Sequence, residues 1–392
     1  MPGDAVSSIC PVVVIGSGLA GYAVAREFRK LDPETPLLLL SCDHAGFYSK
    51  PMLSNALAGQ KTAASLLMKS AEKMASELKA DIRAGVSVSR IDTAARTVTT
   101  RNGDAIAFRD LVLALGADTV YPSLAGDAAD AVRSVNDLDD YARFAEALEG
   151  AKSIGILGAG LIGCEFANDL LHRGIAPTVL DVADRPLSRL LPAEASAWLR
   201  ERLETAGVSF RFGVAASRID RAEGGGVRLS LSDGSALRAD GVLSAIGLQP
   251  RTALAAAAGI AVARGITTDR LLATSAAHVY AVGDCAEVLG LNLPYVMPLM
   301  QQSRALAATL CGRATWVAYP AMPVLVKTPA CPTIACPPPP GAVGEWRIVS
   351  TGEACEARFV RSDGTLLGFA LLGTATSKKQ AWAAEVPAWF AD

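Results

Sequence analysis

One glycine-rich pattern occurs twice in this chain, and each copy lies between an apolar run and a helical pattern. The first copy, Gly16–Gly21 (GSGLAG), follows the β-branched run Val12–Ile15, and the second, Gly158–Gly163 (GAGLIG), follows residues 153–157. A parallel strand that turns through glycines into a helix presents free N–H groups to a pyrophosphate. A single GxGxxG is a weak signal, but two copies in this context predict two nucleotide-binding units.

Each glycine of the pattern has its own physical function. Gly16 permits the tight turn from strand to helix, Gly18 lets the backbone approach a pyrophosphate, and Gly21 lets helix and strand pack closely. The second copy has its glycines at the same positions, which are Gly158, Gly160 and Gly163. We therefore expect one unit to hold a flavin dinucleotide and the other a nicotinamide dinucleotide.

The strand after each helix ends differently in the two units. Many dinucleotide folds place an acid there, which accepts a hydrogen bond from a ribose hydroxyl. In the second unit the strand ends in Asp181, whose carboxylate repels a 2′-phosphate and favours NADH over NADPH, although Arg185 and Arg189 follow closely and weaken this preference. In the first unit the end reads Ser41-Cys42-Asp43, which leaves open whether the serine or the aspartate contacts the ribose.

The composition argues against several other functions. The 392 residues carry 37 basic and 39 acidic side chains, so no basic field attracts nucleic acid. No apolar run approaches the length of a membrane span, and residues 1–11 lack the layout of a secretion signal. The eight cysteines are scattered, which is typical of a reducing cytosol, and the three histidines have no metal-ligand spacing. We therefore expect a cytoplasmic protein without a metal site.

Between and after the glycine loops, the pattern predicts smaller elements. Alternating segments with turns at Asn102-Gly103 and Ser232–Gly234 predict hairpins. An amphipathic helix is predicted over Asp137–Leu148 with Asn136 as its N-cap. Gly283-Asp284 follows a predicted strand, at the end where open α/β sheets bind ligands. The residues after Trp316 predict a small α+β domain, with a strand over Met322–Lys327, two or three later strands and a helix from about Thr376.

With these residues in view, the chain resembles the two-dinucleotide flavoprotein reductases, a family that includes pyridine nucleotide-disulfide and ferredoxin reductase-like enzymes. Within that family it is most similar to the branch that reduces rubredoxin. The family features occur in order along nearly the whole chain, as Gly16–Gly21, Gly116-Ala117, Gly158–Gly163, Gly247–Pro250 and Gly283-Asp284. The stretches that resemble the rubredoxin-reducing branch are Tyr48–Ser54, Gly158–Asp169, Tyr280–Val288, Tyr295–Met300 and Val326–Cys331.

The resemblance implies an α/β fold with two Rossmann-like dinucleotide-binding domains, the second inserted in the first, and a small α+β C-terminal domain. The implied boundaries are 1–119 and 250–318 for the FAD domain, 120–249 for the NADH domain and 319–392 for the C-terminal interface domain. The implied FAD contacts are Gly16, Ser17, Gly18, Leu19, Ala20, Gly21, Ser41, Cys42, Lys50, Val86, Glu165, Asp284, Val296 and Lys327. The implied NADH contacts are Gly158, Gly160, Gly163, Asp181 and Gly247.

Two of these residues have a catalytic role by the same resemblance. Lys50 lies in the loop Phe47–Ser54, where its ammonium group would stabilise negative charge on the flavin ring. Glu165 matches the acid that pairs with the lysine near the flavin. The alternative for Glu165 is an acid in the first helical turn, stabilised only by the helix dipole.

The cysteine pattern indicates how electrons leave the flavin. Relatives with a thiol relay use CxxxxC soon after the first unit or CxxC in the NADH domain, and both are missing here. Cys42 and Cys164 are predicted to be buried structural residues. The Cys331/Cys336 pair has CxxxxC spacing but lies in the C-terminal domain.

We therefore expect an FAD-dependent NADH:rubredoxin oxidoreductase. A hydride passes from NADH to FAD, and single electrons then reach rubredoxin, which feeds an alkane hydroxylase or an oxygen-detoxifying chain. One alternative is an NADH:2Fe–2S ferredoxin reductase. Another is an NADH-dependent peroxidase or disulfide reductase that uses Cys42 or the Cys331/Cys336 pair, and a third is a non-catalytic flavoprotein.

Overall fold

The computed structural model of this protein describes residues 10–390. Most of the N-terminal segment 1–11, considered above for a secretion signal, lies outside the described residues. The described chain divides into two units, with residues 10–50, 67–118 and 249–319 in the first and residues 51–66, 119–248 and 320–390 in the second. This division does not test the predicted boundaries of the FAD, NADH and C-terminal domains, which stay a prediction.

The first unit is built on a five-stranded parallel sheet. Its strands in spatial order are β19 (Val279–Ala281), β7 (Asp110–Leu113), β1 (Val12–Ile15), β2 (Leu37–Leu40) and β3 (Asp81–Arg83). Every neighbouring pair is parallel. The strands β1, β2 and β7 are buried along their whole length, as expected for a parallel sheet covered on both faces.

Helices and smaller sheets complete the first unit. The helices are α1 (Leu19–Leu31), α3 (Ala71–Leu78), α7 (Ala253–Ala257) and α8 (Val296–Leu310). The other strands are β4 (Val88–Asp92), β5 (Thr97–Thr100), β6 (Ala105–Ala107), β18 (Ile266–Thr268) and β20 (Ala286–Val288). β4, β5 and β6 form an antiparallel sheet, and Asn102-Gly103 lies in the turn from β5 to β6, which confirms that predicted hairpin.

The second unit repeats the parallel architecture. Its main sheet, in spatial order, consists of β12 (Ser209–Phe212), β11 (Ala176–Asp181), β10 (Ser153–Leu157), β16 (Gly241–Ser244) and β9 (Val132–Arg133), all in parallel pairs. Its helices before the C-terminal segment are α2 (Ala63–Leu66), α4 (Leu138–Ala147), α5 (Leu161–Leu171) and α6 (Ala193–Thr205). An antiparallel sheet contains β13 (Ala216–Arg221), β14 (Val227–Leu231) and β15 (Ala236–Ala239), and it has the predicted turn at Ser232–Gly234.

The N-terminus of α4 differs from the prediction. Asp137, not Asn136, is the N-cap, because its backbone is extended and its carboxylate accepts a hydrogen bond from the amide of Asp140 at 2.8 Å. The amide of Asn136 in turn donates to the carboxylate of Asp140 at 3.0 Å. The two neighbouring residues are both suitable caps, and the structure shows that the second one begins the helix.

The C-terminal segment forms an antiparallel sheet within the second unit. Its strands in spatial order are β21 (Val324–Val326), β22 (Thr333–Cys336), β25 (Leu366–Gly373), β24 (Ala354–Val360) and β23 (Glu345–Ser350). Helix α9 (Lys379–Glu385) packs on it through Trp382, whose ring lies 5.8 Å from that of Phe369. The sequence did not predict β22, which is bounded by Pro332 and Pro337. The helix begins three residues later than predicted, because a 3-10 turn over Thr374–Lys378 precedes it.

The predicted fold class is confirmed by these elements. Two parallel sheets each follow the strand–glycine loop–helix order, and a small α+β region follows them. Two short strands, β8 (Ala117–Thr119) and β17 (Leu248–Pro250), pair with each other. Across residues 10–390, no helix has the length and apolar character that crossing a bilayer requires.

Candidate functional site

The first glycine loop has the backbone geometry that a bound dinucleotide needs. Gly16 has a φ of +113°, and a Cβ there would lie 2.2 Å from the carbonyl oxygen of Ala114. A Cβ on Gly21 would lie 1.9 Å from the carbonyl oxygen of Gly16, so only glycine lets α1 approach β1 this closely. Gly18 is the N-cap of α1, and it has open space where a Cβ would lie.

The start of α1 is left free for an anion. No side chain caps it, and its first turn contains no acid, so the amides of the first helical residues, including Leu19 and Ala20, have no side-chain acceptor. These amides and the positive end of the helix dipole fit the pyrophosphate of FAD. A Cβ on Gly283 would lie 2.6 Å from the Cβ of Ala20, so the predicted Gly283-Asp284 turn lies next to this loop.

The end of β2 carries a small hydrogen-bonded network. The hydroxyls of Ser17 and Ser41 lie 2.7 Å apart, and Ser41 donates to the carboxylate of Asp43 at 2.6 Å. The amide of Ala45 donates to the same carboxylate oxygen at 2.8 Å. Although burial acts to raise the pKa of Asp43, the hydrogen bonds from Ser41 and Ala45 hold that pKa below its usual value. The network therefore joins the glycine loop to the strand end through both residues that the sequence left open.

Val86, Asp284 and Val296 are also predicted to contact FAD, and backbone contacts and helix starts show where the structure places them. The amide of Val86 donates to the carbonyl of Ser41 at 2.7 Å, which places it beside the end of β2. Asp284 lies in the 3-10 turn Gly283–Cys285, and the Gly283 amide is held by the side chain of Gln302 at 2.8 Å. Val296 is the first residue of α8, another helix start that no side chain caps. The structure brings Ser17, Ser41, Val86, Ala20 and the Asp284 turn together by these contacts.

The cysteines differ from the prediction at one position. Cys42 is exposed, so its prediction as a buried residue is wrong. β2 ends at Leu40, and the chain leaves the covered sheet after Ser41, which is still buried. Cys164 is buried, as predicted, and burial raises the pKa of its thiol. Cys331 and Cys336 are also buried, and burial raises the pKa of Cys336 to about 11.

The second glycine loop repeats the geometry of the first. A Cβ on Gly163 would lie 1.8 Å from the carbonyl oxygen of Gly158, and Gly160 is the N-cap of α5 with open space around it. No side chain caps α5, and its first turn has no acid. This helix start therefore also fits a pyrophosphate, which the sequence assigns to NADH.

At the end of β11, Asp181 is bonded directly to the glycine loop. Its carboxylate accepts from the amide of Ala159 at 2.5 Å and from the amide of Ala183 at 2.8 Å. Arg185 contacts Asp184 at 2.8 Å rather than Asp181. Gly247, also predicted for NADH, has a φ of +132° and open space around it. Asp181 is thus fixed at the position where a ribose hydroxyl would be recognised.

Glu165 has a buried carboxylate in the second unit that is held by several hydrogen bonds. Its side chain on α5 is 0% exposed, and it accepts hydrogen bonds from the Ser54 hydroxyl and from the amide and ammonium groups of Lys327. The Lys327 amide lies 2.9 Å from the carboxylate. The alternative of a first-turn acid is wrong, because α5 begins after Gly160 and its first turn contains no acid.

Lys50 begins a 3-10 helix, Lys50–Asn55, that also carries Ser54. Lys50 belongs to the first unit, whereas Glu165 and Lys327 belong to the second. The predicted pairing of Lys50 with Glu165 therefore stays a prediction. The same applies to the assignment of Glu165 and Lys327 to FAD.

Sequence reasoning missed two further polar residues on α5. Asn168 and Asp169 are each 2% exposed, and together with Glu165 they follow i, i+3, i+4 spacing on one helix face. The Asn168 side chain accepts from the amide of Ala330 at 3.0 Å. Polar residues at helical spacing within an otherwise apolar helix are the signal that identifies such positions from sequence.

Two family models match successive parts of this chain. Residues 10–307 match the family described as pyridine nucleotide-disulphide oxidoreductase, and residues 316–386 match the rubredoxin binding C-terminal domain. The chain is 49% identical to the rubredoxin-NAD(+) reductase of Alcanivorax borkumensis, over 96% of this chain and 99% of that protein. It is 41% identical to the nitric oxide reductase FlRd-NAD(+) reductase of Aeromonas salmonicida, over 92% of both chains.

Among solved structures, a ferredoxin reductase from Rhodopseudomonas palustris superposes with a TM-score of 0.86 at 26% identity, over 94% of this chain and 92% of that one. The chain belongs to the pyridine nucleotide-disulphide oxidoreductase family. The family resemblance drawn from the ordered motifs along the chain is therefore confirmed, as is the prediction that the protein is an oxidoreductase.

Proposed function

We propose that this protein transfers electrons from NADH through bound FAD to rubredoxin. The observation that carries the proposal is the order of the matches along one chain. An oxidoreductase segment with both glycine loops, residues 10–307, is followed by a segment, residues 316–386, that matches a rubredoxin-binding domain. Full-length relatives named rubredoxin-NAD(+) reductase, at 49% and 45% identity, support the same assignment.

The residues of the first unit hold FAD in this proposal. The uncapped start of α1 binds its pyrophosphate, and the Ser17–Ser41–Asp43 network lies at the strand end where a ribose is recognised. Asp284 accepts from a hydroxyl of the ribityl chain. Bound FAD supplies the conversion between a two-electron hydride donor and single-electron transfer.

The residues of the second unit hold NADH. The start of α5 binds the pyrophosphate, and Asp181 accepts from the ribose hydroxyls. The two backbone amides that hold the Asp181 carboxylate fix its position, so it repels a 2′-phosphate and favours NADH. The Lys50 ammonium stabilises negative charge on the reduced flavin, and Glu165 and Lys327 are the further charged residues assigned to this cofactor.

No thiol relay takes part in the proposed electron path. All eight cysteines are free, and the pair with CxxxxC spacing is buried. Burial raises the pKa of Cys331 and Cys336, which makes both thiols poor nucleophiles. Electrons therefore leave FAD directly for an external carrier. Free, scattered cysteines also support a cytoplasmic location.

Anaerobic stopped-flow mixing tests the proposal. The full-length protein with bound FAD is mixed with NADH, and the reduced protein is then mixed with rubredoxin or, separately, with a 2Fe–2S ferredoxin. Rapid bleaching by NADH followed by fast reoxidation with rubredoxin alone is the expected result. Reoxidation by ferredoxin, peroxide or a disulfide alone would overturn the acceptor, and failure of NADH to bleach FAD would overturn the NADH site.

A second candidate acceptor comes from the other group of relatives. Several are named nitric oxide reductase FlRd-NAD(+) reductase, and that of Aeromonas salmonicida is 41% identical. Repeating the reoxidation with the FlRd protein of such a system tests this candidate. Faster reoxidation by that protein than by rubredoxin would favour a nitric oxide pathway over the alkane hydroxylase or oxygen-detoxifying chain expected from the sequence.

A further inference from the structure

Helix α5 carries a row of buried polar side chains that hold segments distant in sequence. Glu165 is bonded to Ser54 and Lys327, Asn168 to Ala330, and Asp169 to the segment after Ser54. A polar group buried without a partner destabilises a fold, so each member of this row depends on its partner segment. Neither the sequence prediction nor the proposed reaction uses Asn168 or Asp169, and of these two Asp169 contacts the segment that carries Ser54.

Asp169 binds two consecutive backbone amides. One carboxylate oxygen accepts from the amide of Leu57 and the other from the amide of Ala58, both at 2.9 Å. Burial raises the pKa of Asp169, the two amide donors act against this rise, and the Glu165 carboxylate adds to it. A two-oxygen clamp of this kind fixes both the position and the direction of the backbone that it holds.

The clamped backbone continues directly from the 3-10 helix Lys50–Asn55. Ser54, whose hydroxyl donates to Glu165, lies three residues before Leu57 on this stretch. The same segment is held further along by Tyr141, whose hydroxyl donates to the carbonyl of Lys61 at 2.8 Å. The residues that Asp169 holds therefore lie close to Ser54 along the chain. The residue that Tyr141 holds, Lys61, lies farther from Ser54.

We infer that Asp169 is a positioning residue for the oxidoreductase reaction. By holding the amides of Leu57 and Ala58, it keeps the Ser54 hydroxyl on Glu165 and so sets the hydrogen bonding of the Glu165–Lys327 pair. This inference rests on the proposed function, which assigns that pair to the reduced cofactor. Loss of the clamp then changes the potential of bound FAD and its rate of reduction, and not only the stability of the fold.

The test compares Asp169→Asn with Tyr141→Phe in the full-length protein with FAD bound. The asparagine oxygen accepts from one amide, but its NH₂ group faces the other amide, so the clamp is broken. Tyr141→Phe removes a hydrogen bond to the same segment and leaves the clamp and Ser54 in place. We measure the midpoint potential of FAD and the rate of its reduction by NADH, beside the thermal midpoint of each variant.

The expected result is a shifted potential and a reduction rate at least about tenfold lower in Asp169→Asn, with both close to wild type in Tyr141→Phe. A wild-type potential and rate in Asp169→Asn, or equal shifts in both variants, would overturn the inference. If Asp169→Asn does not retain FAD, Asp169→Ser, which keeps an acceptor for one amide, takes its place. Failure of NADH to reduce the wild-type protein would instead overturn the proposed function.

Discussion

The two helices that follow the glycine loops begin alike and differ in what they bury. Both α1 and α5 start at an uncapped glycine without a first-turn acid. The buried residues of α1 are apolar or glycine, with Tyr22 and Phe28 the largest, whereas α5 also buries Glu165, Asn168 and Asp169. Binding a pyrophosphate constrains only the start of such a helix. The rest of the helix is free to differ, and in α5 it organises charged groups.

The strand ends show the same contrast. In the first unit Ser17, Ser41 and Asp43 connect strand end and loop through side chains. In the second unit Asp181 reaches the loop backbone directly. A single aspartate at the strand end thus replaces a relay of two serines and an aspartate. The substitutions below test which parts of this contrast matter for each cofactor.

The largest effects are expected for alanine at the close-packed glycines. In both Gly21→Ala and Gly163→Ala a Cβ would lie within 2 Å of a loop carbonyl oxygen. The loop must move, at a cost of about 3 kcal/mol or more. We expect Gly21→Ala to lose FAD, and Gly163→Ala to keep FAD but bind NADH more than about tenfold more weakly.

Flavin absorbance and NADH titration measure these two losses. Gly352→Ala is the matched control, because Gly352 is exposed and has no atom within 4 Å of its Cβ position. Loss of FAD in Gly163→Ala with retention in Gly21→Ala would reverse the assignment of the two loops.

The next largest effect is expected on stability, when the buried ion pair between Glu165 and Lys327 is broken. Lys327→Met leaves the Glu165 carboxylate buried without its ammonium partner, which destabilises the fold by about 3 to 5 kcal/mol. Lys378→Met breaks the exposed pair with Glu356 and is expected to change stability by less than about 1 kcal/mol. Urea unfolding of both variants measures the difference. Equal midpoints would show that the Glu165–Lys327 pair does not stabilise the fold.

Exchange of the strand-end residue is expected to change cofactor preference. Asp181→Ser gives the second unit the serine that the first unit has at this position. It removes a charged acceptor worth about 1.5 to 3 kcal/mol, so kcat/KM for NADH falls by roughly tenfold to a hundredfold. It also removes the repulsion of a 2′-phosphate, so the ratio of NADPH to NADH activity rises. Steady-state kinetics with both cofactors measure the ratio, and an unchanged ratio, as expected for the control Asp220→Ser, would contradict the role of Asp181.

The smallest effect is a pH dependence at the first strand end. Hydrogen bonds hold the pKa of Asp43 below its value in the unfolded chain, despite burial. Asp43 therefore stabilises the fold above about pH 4, and this contribution is lost as the pH falls through the folded-state pKa. We expect Asp43→Asn to lower stability by about 1 kcal/mol at neutral pH and by less in acid.

Thermal unfolding of wild type and Asp43→Asn at several pH values measures this trend. A difference that persists undiminished at about pH 3 would show that the ionised carboxylate is not its cause.

Much of the fold was predictable because its signals are local. The run Val12–Ile15 predicts a strand, and the glycines directly after it predict the turn into a helix. Both signals come from residues that are neighbours in sequence. Local patterns were less decisive where two neighbours suit one position, as for the cap at Asn136 or Asp137. Strand β22 also escaped prediction, because prolines bound it on both sides.

The candidate site was only partly predictable for a different reason. The contacts of Glu165 join residues 111 and 162 positions apart in the chain. No spacing in the sequence pairs Ser54 or Lys327 with Glu165, since such contacts depend on tertiary packing. The resemblance pointed to Glu165 and Lys327 individually, but only the structure pairs them and adds Asp169.

The position of Lys327 limits how this chain can be rearranged. The residue directly follows β21, so the C-terminal segment supplies two of the three donors to a carboxylate inside α5. A graft that exchanges this segment for another docking domain must bring an equivalent lysine and amide to the same carboxylate. Exchange of the C-terminal segment therefore leaves the buried Glu165 carboxylate with all its donors only where the incoming chain supplies these two.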